Sequence, residues 1–117
     1  MTRILILALA FFVLSVSSGC GILASSSCDF RDGGANGSEP RCQERVETLA
    51  SEAFKATCTV AQGASANGKC PRTGSVGGCE IGTQGDGSKV NDWYYPPKTR
   101  ADVEMECMRD NAKFLEP

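Results

Sequence analysis

Residues 76–97 read VGGCEIGTQGDGSKVNDWYYPP, and this stretch carries the clearest structural signal in the chain. Residues 76–81 and 90–95 have the composition of β-strands, and a Gly-rich connection over residues 82–89 joins them. The pair Pro96-Pro97 ends the second strand, because proline has no N–H to donate to a sheet. The stretch therefore predicts an antiparallel hairpin.

Three aromatic residues, Trp93, Tyr94 and Tyr95, close the second predicted strand. Successive side chains of a strand point to opposite faces, so Trp93 and Tyr95 share a face that excludes Tyr94. The Trp93 face offers the larger apolar area, and we expect it to pack against the first of two predicted helices while Tyr94 points outward. An outward aromatic ring is a candidate binding residue for a glycan or a protein partner; the alternative is that it only covers the hairpin. Because not all three rings can face one core, Trp93, Tyr94 and Tyr95 are each candidate binding residues.

Helical periodicity flanks the hairpin on both sides. Ser38 is a candidate N-cap for a first helix, whose apolar positions recur at spacings of three and four: Cys42, Val46, Leu49, Ala50, Ala53, Phe54 and Thr57. Thr99 and Asp102 form a capping-box variant for a second helix, and Asn111 suits a left-handed position at its end. Residues 112–115 are a candidate edge strand, and no internal repeat is evident. The predicted fold class is α+β, with two helices packed on a short antiparallel hairpin or sheet.

The N-terminus has the pattern of an export signal. Residues 4–16 are apolar apart from Ser15, with Arg3 before them and small residues after them. A helix of this length spans about 20 Å, whereas a bilayer core measures about 30 Å. The segment therefore predicts a signal peptide over residues 1–19.

The residues Ser17-Ser18-Gly19-Cys20 follow this apolar run. They resemble the lipobox of bacterial lipoproteins, with Ser17 in place of the usual Leu. The resemblance implies cleavage before Cys20, acyl chains on its thiol and amino group, and, because Gly21 follows, sorting to the outer membrane. The alternative is ordinary cleavage after Ala24 or Ser26, which gives a secreted protein without lipid.

Six cysteines remain beyond Cys20, and export places them in an oxidising compartment where disulfides persist: Cys28, Cys42, Cys58, Cys70, Cys79 and Cys107. The sequence has no His and no Cys-x-x-Cys pair, which argues against a zinc site and a redox pair. Three structural disulfides are predicted, with the pairing left open. Spacing favours Cys70–Cys79, Cys58–Cys107 and Cys28–Cys42, since Cys42 and Cys58 would lie about 24 Å apart in one helix.

Composition shifts divide the chain into three parts. Residues 1–19 are the predicted signal peptide, and residues 20–38, rich in Gly and Ser, are the predicted lipidated N-terminus and flexible spacer. Residues 39–117 are the predicted disulfide-rich domain. A domain of this size buries a small core, so disulfides are expected to contribute much of its stability.

The stretch that contains Cys70-Pro71, Val76-Gly77-Gly78-Cys79 and Trp93-Tyr94-Tyr95 resembles small cysteine-rich exported proteins and lipoproteins of Gram-negative bacteria. The resemblance implies an exported location and a disulfide architecture, and it transfers no active-site residue.

The charge balance and the absence of histidine limit the classes of function that the sequence supports. The chain has 12 Lys and Arg against 14 Asp and Glu, a net charge of -2, which argues against a globally basic nucleic-acid binder. Without His there is no Ser-His or Cys-His dyad, and we expect no enzyme, cofactor or metal site. The sequence predicts a non-enzymatic protein anchored to the cell envelope through lipid on Cys20, with a structural role or an envelope protein or glycan as partner. The alternative is a secreted inhibitor-like or binding module.

Overall fold

The computed structural model describes residues 24–33, 39–48, 51–85 and 87–117. The elements in chain order are β1 (Ala24–Asp29), β2 (Arg41–Thr48), α1 (Ser51–Val60), β3 (Ala64–Asn67), β4 (Gly77–Thr83), β5 (Lys89–Tyr94), α2 (Arg100–Arg109) and β6 (Lys113–Leu115). The strands form one 6-stranded antiparallel sheet in the order β3-β1-β2-β5-β4-β6. The fold class is α+β, as predicted. Neither described helix is long and apolar enough to cross a membrane.

The predicted hairpin, second helix and edge strand are all present. The hairpin is β4 paired with β5, and β6 lies at the edge of the sheet beside β4. The hydroxyl of Thr99 accepts a hydrogen bond from the N–H of Asp102, whose carboxylate accepts from the Thr99 N–H, so the capping box starts α2 as predicted. Asn111 has a positive φ of 52°, as expected for a left-handed residue at the helix end.

The prediction of the first helix is wrong in its N-terminal half. Residues 41–48 form β2, and the helix begins only at Ser51. Along this strand Cys42, Glu44 and Val46 are buried while Arg41, Gln43 and Arg45 are half-exposed, which is the period of two of a strand. The sequence concealed this alternation because one of the three buried residues is a glutamate.

The predicted flexible spacer is also corrected. Residues 24–29 form β1, which lies between β2 and β3 in the sheet, so the folded unit includes this strand and is not confined to residues 39–117. Ser26 and Ser27 are buried in it. Serines carry no apolar signal, and this is why the strand resembled a linker. The predicted signal peptide and Cys20 lie outside the described residues.

The sheet is built from two ββαβ units joined through β2 and β5. The first unit is β1-β2-α1-β3 and the second is β4-β5-α2-β6, so the strand order reads outward symmetrically from the β2–β5 pair. Gln43 and Asp92 lie directly opposite each other in that pair, and each also lies opposite a cysteine of its own unit, Cys28 or Cys79. A pseudo-two-fold axis therefore passes between Gln43 and Asp92.

Local geometry repeats with the same offset of 49 residues that separates the starts of α1 and α2. Gln62 and Asn111 both have positive φ, at 60° and 52°. After each helix a backbone N–H bonds the carbonyl of the helix cysteine, Gly63 to Cys58 at 3.0 Å and Ala112 to Cys107 at 2.7 Å. The structure thus contains an internal repeat that the side-chain pattern does not reveal.

Three disulfides form, and each of the three pairings favoured by spacing is wrong. The observed pairs, with their Cα–Cα distances, are Cys28–Cys58 at 5.6 Å, Cys42–Cys70 at 5.9 Å and Cys79–Cys107 at 5.4 Å. Two of them are equivalent by the pseudo-two-fold, and each ties a helix to the first strand of its unit. Because Cys28 and Cys79 are both in register with the Gln43–Asp92 pair, they tether both helices to one face of the sheet.

Cys42 is next to Gln43 in β2, so its disulfide lies on the opposite face, which neither described helix covers. This bond holds Cys70 against the sheet. The spacing of the cysteines does not predict the Cys42–Cys70 pair, because the sequence pattern predicts a helix for residues 41–48. In that helix Cys42 would lie on the same face as Val46.

Candidate ligand-binding cavity

The three candidate aromatic residues are all buried, with Trp93 only 3% exposed and both tyrosines 5% exposed. Trp93 lies on the face opposite α1 and α2, with the Cys42–Cys70 disulfide and Tyr95. The guanidinium of Arg72 covers its indole ring at 3.6 Å from the ring centroid. The predictions that Trp93 packs against the first helix and that Tyr94 points outward are wrong. The face of β5 that carries Tyr94 meets a helix, and the face that carries Trp93 does not.

A buried carboxylate fixes the loop that covers Trp93. Glu44 is fully buried and accepts hydrogen bonds from the Cys70 N–H at 2.8 Å, from Arg72 at 2.8 Å and from the Asn91 amide at 3.1 Å. Burial by itself would raise the pKa of Glu44, but these donors, with Trp93 nearby, hold it below its ordinary value. We interpret this cluster as structural, since its donors are occupied by Glu44 itself.

Tyr94 fills the space between strand and helix in the second unit. Its ring packs with Cys79, Val103 and Cys107, and its hydroxyl donates to Glu106 at 3.1 Å. Burial, reinforced by the negative charges of Asp92 and Glu106, raises the pKa of Tyr94, so the phenol remains a neutral donor. In the second unit the Tyr94 ring therefore fills the space between the sheet and α2.

The corresponding position of the first unit is Arg45. Arg45 pairs with Ser26 and Val90 as Tyr94 pairs with Gly77 and Arg41, so the two residues are related by the pseudo-two-fold axis. The Nε of Arg45 donates to Ser88 Oγ at 2.9 Å, on the adjoining hairpin. An arginine directed toward the hairpin does not fill the space that Tyr94 fills in the other unit.

A cavity of about 560 Å³ lies beside Arg45. We call it the first-unit cavity. Its apolar walls come from α1, β1 and the hairpin, and include Phe30, Phe54, Ala61, Ile81 and Val90. Cavities of about 300–1,000 Å³ are the usual size for small-molecule sites, so this one is large enough for a ligand.

The wall residues of the first-unit cavity include the counterparts of the residues around Tyr94. Cys28, Phe54, Thr57 and Cys58 line it, and they correspond to Cys79, Val103, Glu106 and Cys107 of the second unit. Phe54 and Thr57 belong to α1, which has the same length as α2. The same backbone scaffold therefore surrounds a tyrosine ring in one unit and an open cavity in the other.

The charges at the first-unit cavity are positive. Its described lining contains two arginines, Arg41 and Arg45, and no carboxylate. Arg41 contacts Asp92 at 3.3 Å, and its guanidinium lies 5.4 Å from the centroid of the Phe30 ring. Burial raises the pKa of Asp92, while hydrogen bonding from Gln43 and the charge of Arg41 oppose the rise. An apolar cavity beside guanidinium groups can accept a small molecule with an apolar body and an anionic group.

Sequence reasoning missed this cavity. The sequence predicts Phe54 in the apolar stripe of the first helix, but it also predicts a helix for Arg41 and Arg45 and a spacer for Phe30. The available signal is partial: Cys42 and Val46 alternate with polar residues, but Glu44 interrupts the apolar pattern. No group of three or more potential metal ligands occurs within the part of the chain that the structure describes.

Comparisons with known proteins return no match: no protein-family profile, no curated protein and no solved structure is significantly similar to this chain.

Proposed function

We propose that the protein is a non-enzymatic binding domain of the cell envelope, anchored through lipid on Cys20. The export-type N-terminus and the three disulfides support an oxidising compartment outside the cytoplasm. The observation that carries the anchored form, in preference to the secreted alternative, is the position of β1 relative to the candidate cleavage sites.

Cleavage before Cys20 leaves β1 whole, whereas the alternative sites lie inside it. Ser26 is fully buried and pairs with Arg45 on one side and Asn67 on the other. Cleavage after Ser26 would remove half of a strand that lies inside the sheet. Cleavage after Ala24 would place a charged amino terminus on Ser25, whose carbonyl accepts a hydrogen bond from the Gly68 N–H at 2.8 Å.

The start of β1 also determines how far the domain stands from the bilayer. Only residues 21–23 separate Cys20 from Ala24. The four residue steps from Cys20 to Ala24 span at most about 14 Å when fully extended. On this proposal the domain lies at the membrane surface and does not extend from it on a long spacer, and several acyl chains hold it there firmly.

Substitution of the lipid acceptor tests the anchor. In cells that express the full chain, Cys20→Ala should block lipidation and move the protein out of the mature, lipidated membrane fraction. The matched control is Ser18→Ala, which keeps a small residue in the lipobox and should leave lipidation unchanged. An unaltered mature membrane fraction for Cys20→Ala would contradict the proposal and favour another mode of attachment.

A further inference from the structure

We propose that the first-unit cavity binds a small aryl carboxylate, with the aryl ring in the space that Tyr94 fills in the second unit and the carboxylate at Arg41. This inference deepens the proposed binding function by naming a ligand class. It does not depend on whether Cys20 carries lipid.

The aryl ring follows from the comparison of the two units. In the second unit the Tyr94 ring packs on the strand cysteine Cys79, the helix cysteine Cys107 and the helix residue Val103. In the first unit the equivalents Cys28, Cys58 and Phe54 line the open cavity. Phe30, which packs with Cys28 and Cys58, and Phe54 also line the cavity, so an aryl ring bound there gains aromatic contact as well as apolar burial.

The hydroxyl partner of Tyr94 differs between the units in an informative way. Glu106 accepts the phenol hydrogen bond in the second unit, and its counterpart in the first unit is the neutral Thr57. The described lining of the first-unit cavity thus has no counterpart of Glu106, and the neighbouring carboxylate of Asp92 is paired with Arg41. This replacement of an acid by a neutral residue favours an anionic ligand over a phenol.

The carboxylate of the proposed ligand is inferred from the position of Arg41 at the cavity. A guanidinium has five N–H donors arranged to bind a carboxylate through two parallel hydrogen bonds. Only one donor nitrogen of Arg41, Nη1, is placed within hydrogen-bond distance of Asp92, at 3.3 Å, and the side chain is 34% exposed. The wall residue Phe30 packs under this guanidinium, so an anion there would lie directly beside an apolar surface.

Binding is tested with the lipidated full-length protein in nanodiscs, with empty nanodiscs as reference. The probe is 3-phenylpropionate, and the matched uncharged probe is 3-phenylpropanamide, which keeps the ring and the chain length. Ligand-observed NMR and calorimetry should show binding of the carboxylate at least about ten-fold tighter than the amide, the difference expected for a hydrogen-bonded charge. No binding of the carboxylate, or equal affinity for both probes, would overturn the inference.

Two variants locate the site. Arg45→Tyr places in the first unit the residue that closes the second, and it should weaken binding of the carboxylate at least about ten-fold while the disulfides and circular dichroism stay unchanged. Arg109→Tyr makes the same change at an exposed position of α2 and should leave binding unaltered. Undiminished binding in a folded Arg45→Tyr protein would place the ligand elsewhere and contradict the assignment.

Arg41→Gln provides a test that does not require the cavity to be filled. It should remove the preference for the carboxylate over the amide and leave the affinity for the amide unchanged. A preference that survives this substitution would overturn the role of Arg41. If Cys20 proves unmodified, the same titrations are made on the released protein, so failure of the anchor and failure of the ligand assignment give different results.

Discussion

Arg45 and Tyr94 occupy equivalent positions across the pseudo-two-fold axis; the tyrosine fills the space between strand and helix in the second unit, whereas a cavity lies beside the arginine in the first. The two units share their order of elements and the left-handed residues Gln62 and Asn111. A repeated scaffold with a few side chains exchanged is a simple way to obtain a site without weakening the whole domain, because the second unit keeps its packing.

The first prediction concerns the closed unit. Tyr94→Ala should lower the free energy of unfolding by about 3–5 kcal/mol, because it opens a cavity next to Val103 and Cys107. Tyr94→Phe is the matched control: it keeps the ring and loses only the hydrogen bond to Glu106, at a cost of about 0.5–1.5 kcal/mol. Chemical denaturation measures both. A cost for Tyr94→Ala below that of Tyr94→Phe would show that the ring is not part of the core.

The second prediction concerns the buried Glu44. Glu44→Gln should destabilise the protein by about 1–3 kcal/mol at pH 7, because the amide cannot accept from both Arg72 and the Cys70 N–H as the carboxylate does. Glu104→Gln removes an exposed ion pair with Arg100 and should cost less than about 1 kcal/mol. Equal costs for the two substitutions would show that the buried cluster contributes nothing special.

The pH dependence of the same pair of proteins follows from the lowered pKa of Glu44. A carboxylate with a lower pKa in the folded than in the unfolded state contributes its full stabilisation above the unfolded value of about 4.3, and loses it as the pH falls through the folded value. The stability difference between wild type and Glu44→Gln should therefore shrink below about pH 4. Unfolding curves at pH 7 and pH 3 test this; a difference that grows in acid would mean that the pKa is raised.

The third prediction concerns the disulfides. Peptide mapping without reduction should find Cys28–Cys58, Cys42–Cys70 and Cys79–Cys107, with no free thiol among them. Replacing both members of the Cys42–Cys70 pair by Ser should cost about 3–4 kcal/mol, as expected for a sequence separation of 28 residues. Recovery of a Cys70–Cys79 peptide, or two titratable thiols in the native protein, would contradict this arrangement.

The parts of the fold that sequence predicted are those with local signals. The hairpin has turn residues between two strand-like segments, and α2 has its capping box at Thr99 and Asp102. Each of these depends on neighbours in sequence only. The same holds for Asn111, whose side chain tolerates a left-handed backbone, and for the short strand that follows it.

The parts that sequence missed depend on contacts between distant segments. β1 contains Ser26 and Ser27, which are buried because two strands flank them and not because their side chains are apolar. β2 buries Glu44, which hydrogen bonds from the distant Cys70, Arg72 and Asn91 make possible. The incorrect prediction of a helix for β2 led to incorrect predictions of the disulfide pairing and of the surface against which Trp93 packs.

The cavity was out of reach for a related reason. Its recognition needs the equivalence of Arg45 and Tyr94, and this equivalence is carried by strand register and not by similar side chains. The second unit even replaces the serines of β1 by Gly77 and Gly78, where a Cβ on Gly78 would come within 2.9 Å of Trp93. Such steric substitutions erase the repeat from the amino-acid sequence.

The intact mass of the native protein, purified from cells that express the full chain, tests the central claim most directly. The account predicts a chain that begins at Cys20 and carries the mass of a diacylglycerol and an amide-linked acyl group, with a further loss of six hydrogens for the three disulfides. A mass that corresponds to an unmodified amino terminus at Ser25 or Ser27 would contradict it, because β1 would then be shortened in a protein that has no anchor at Cys20.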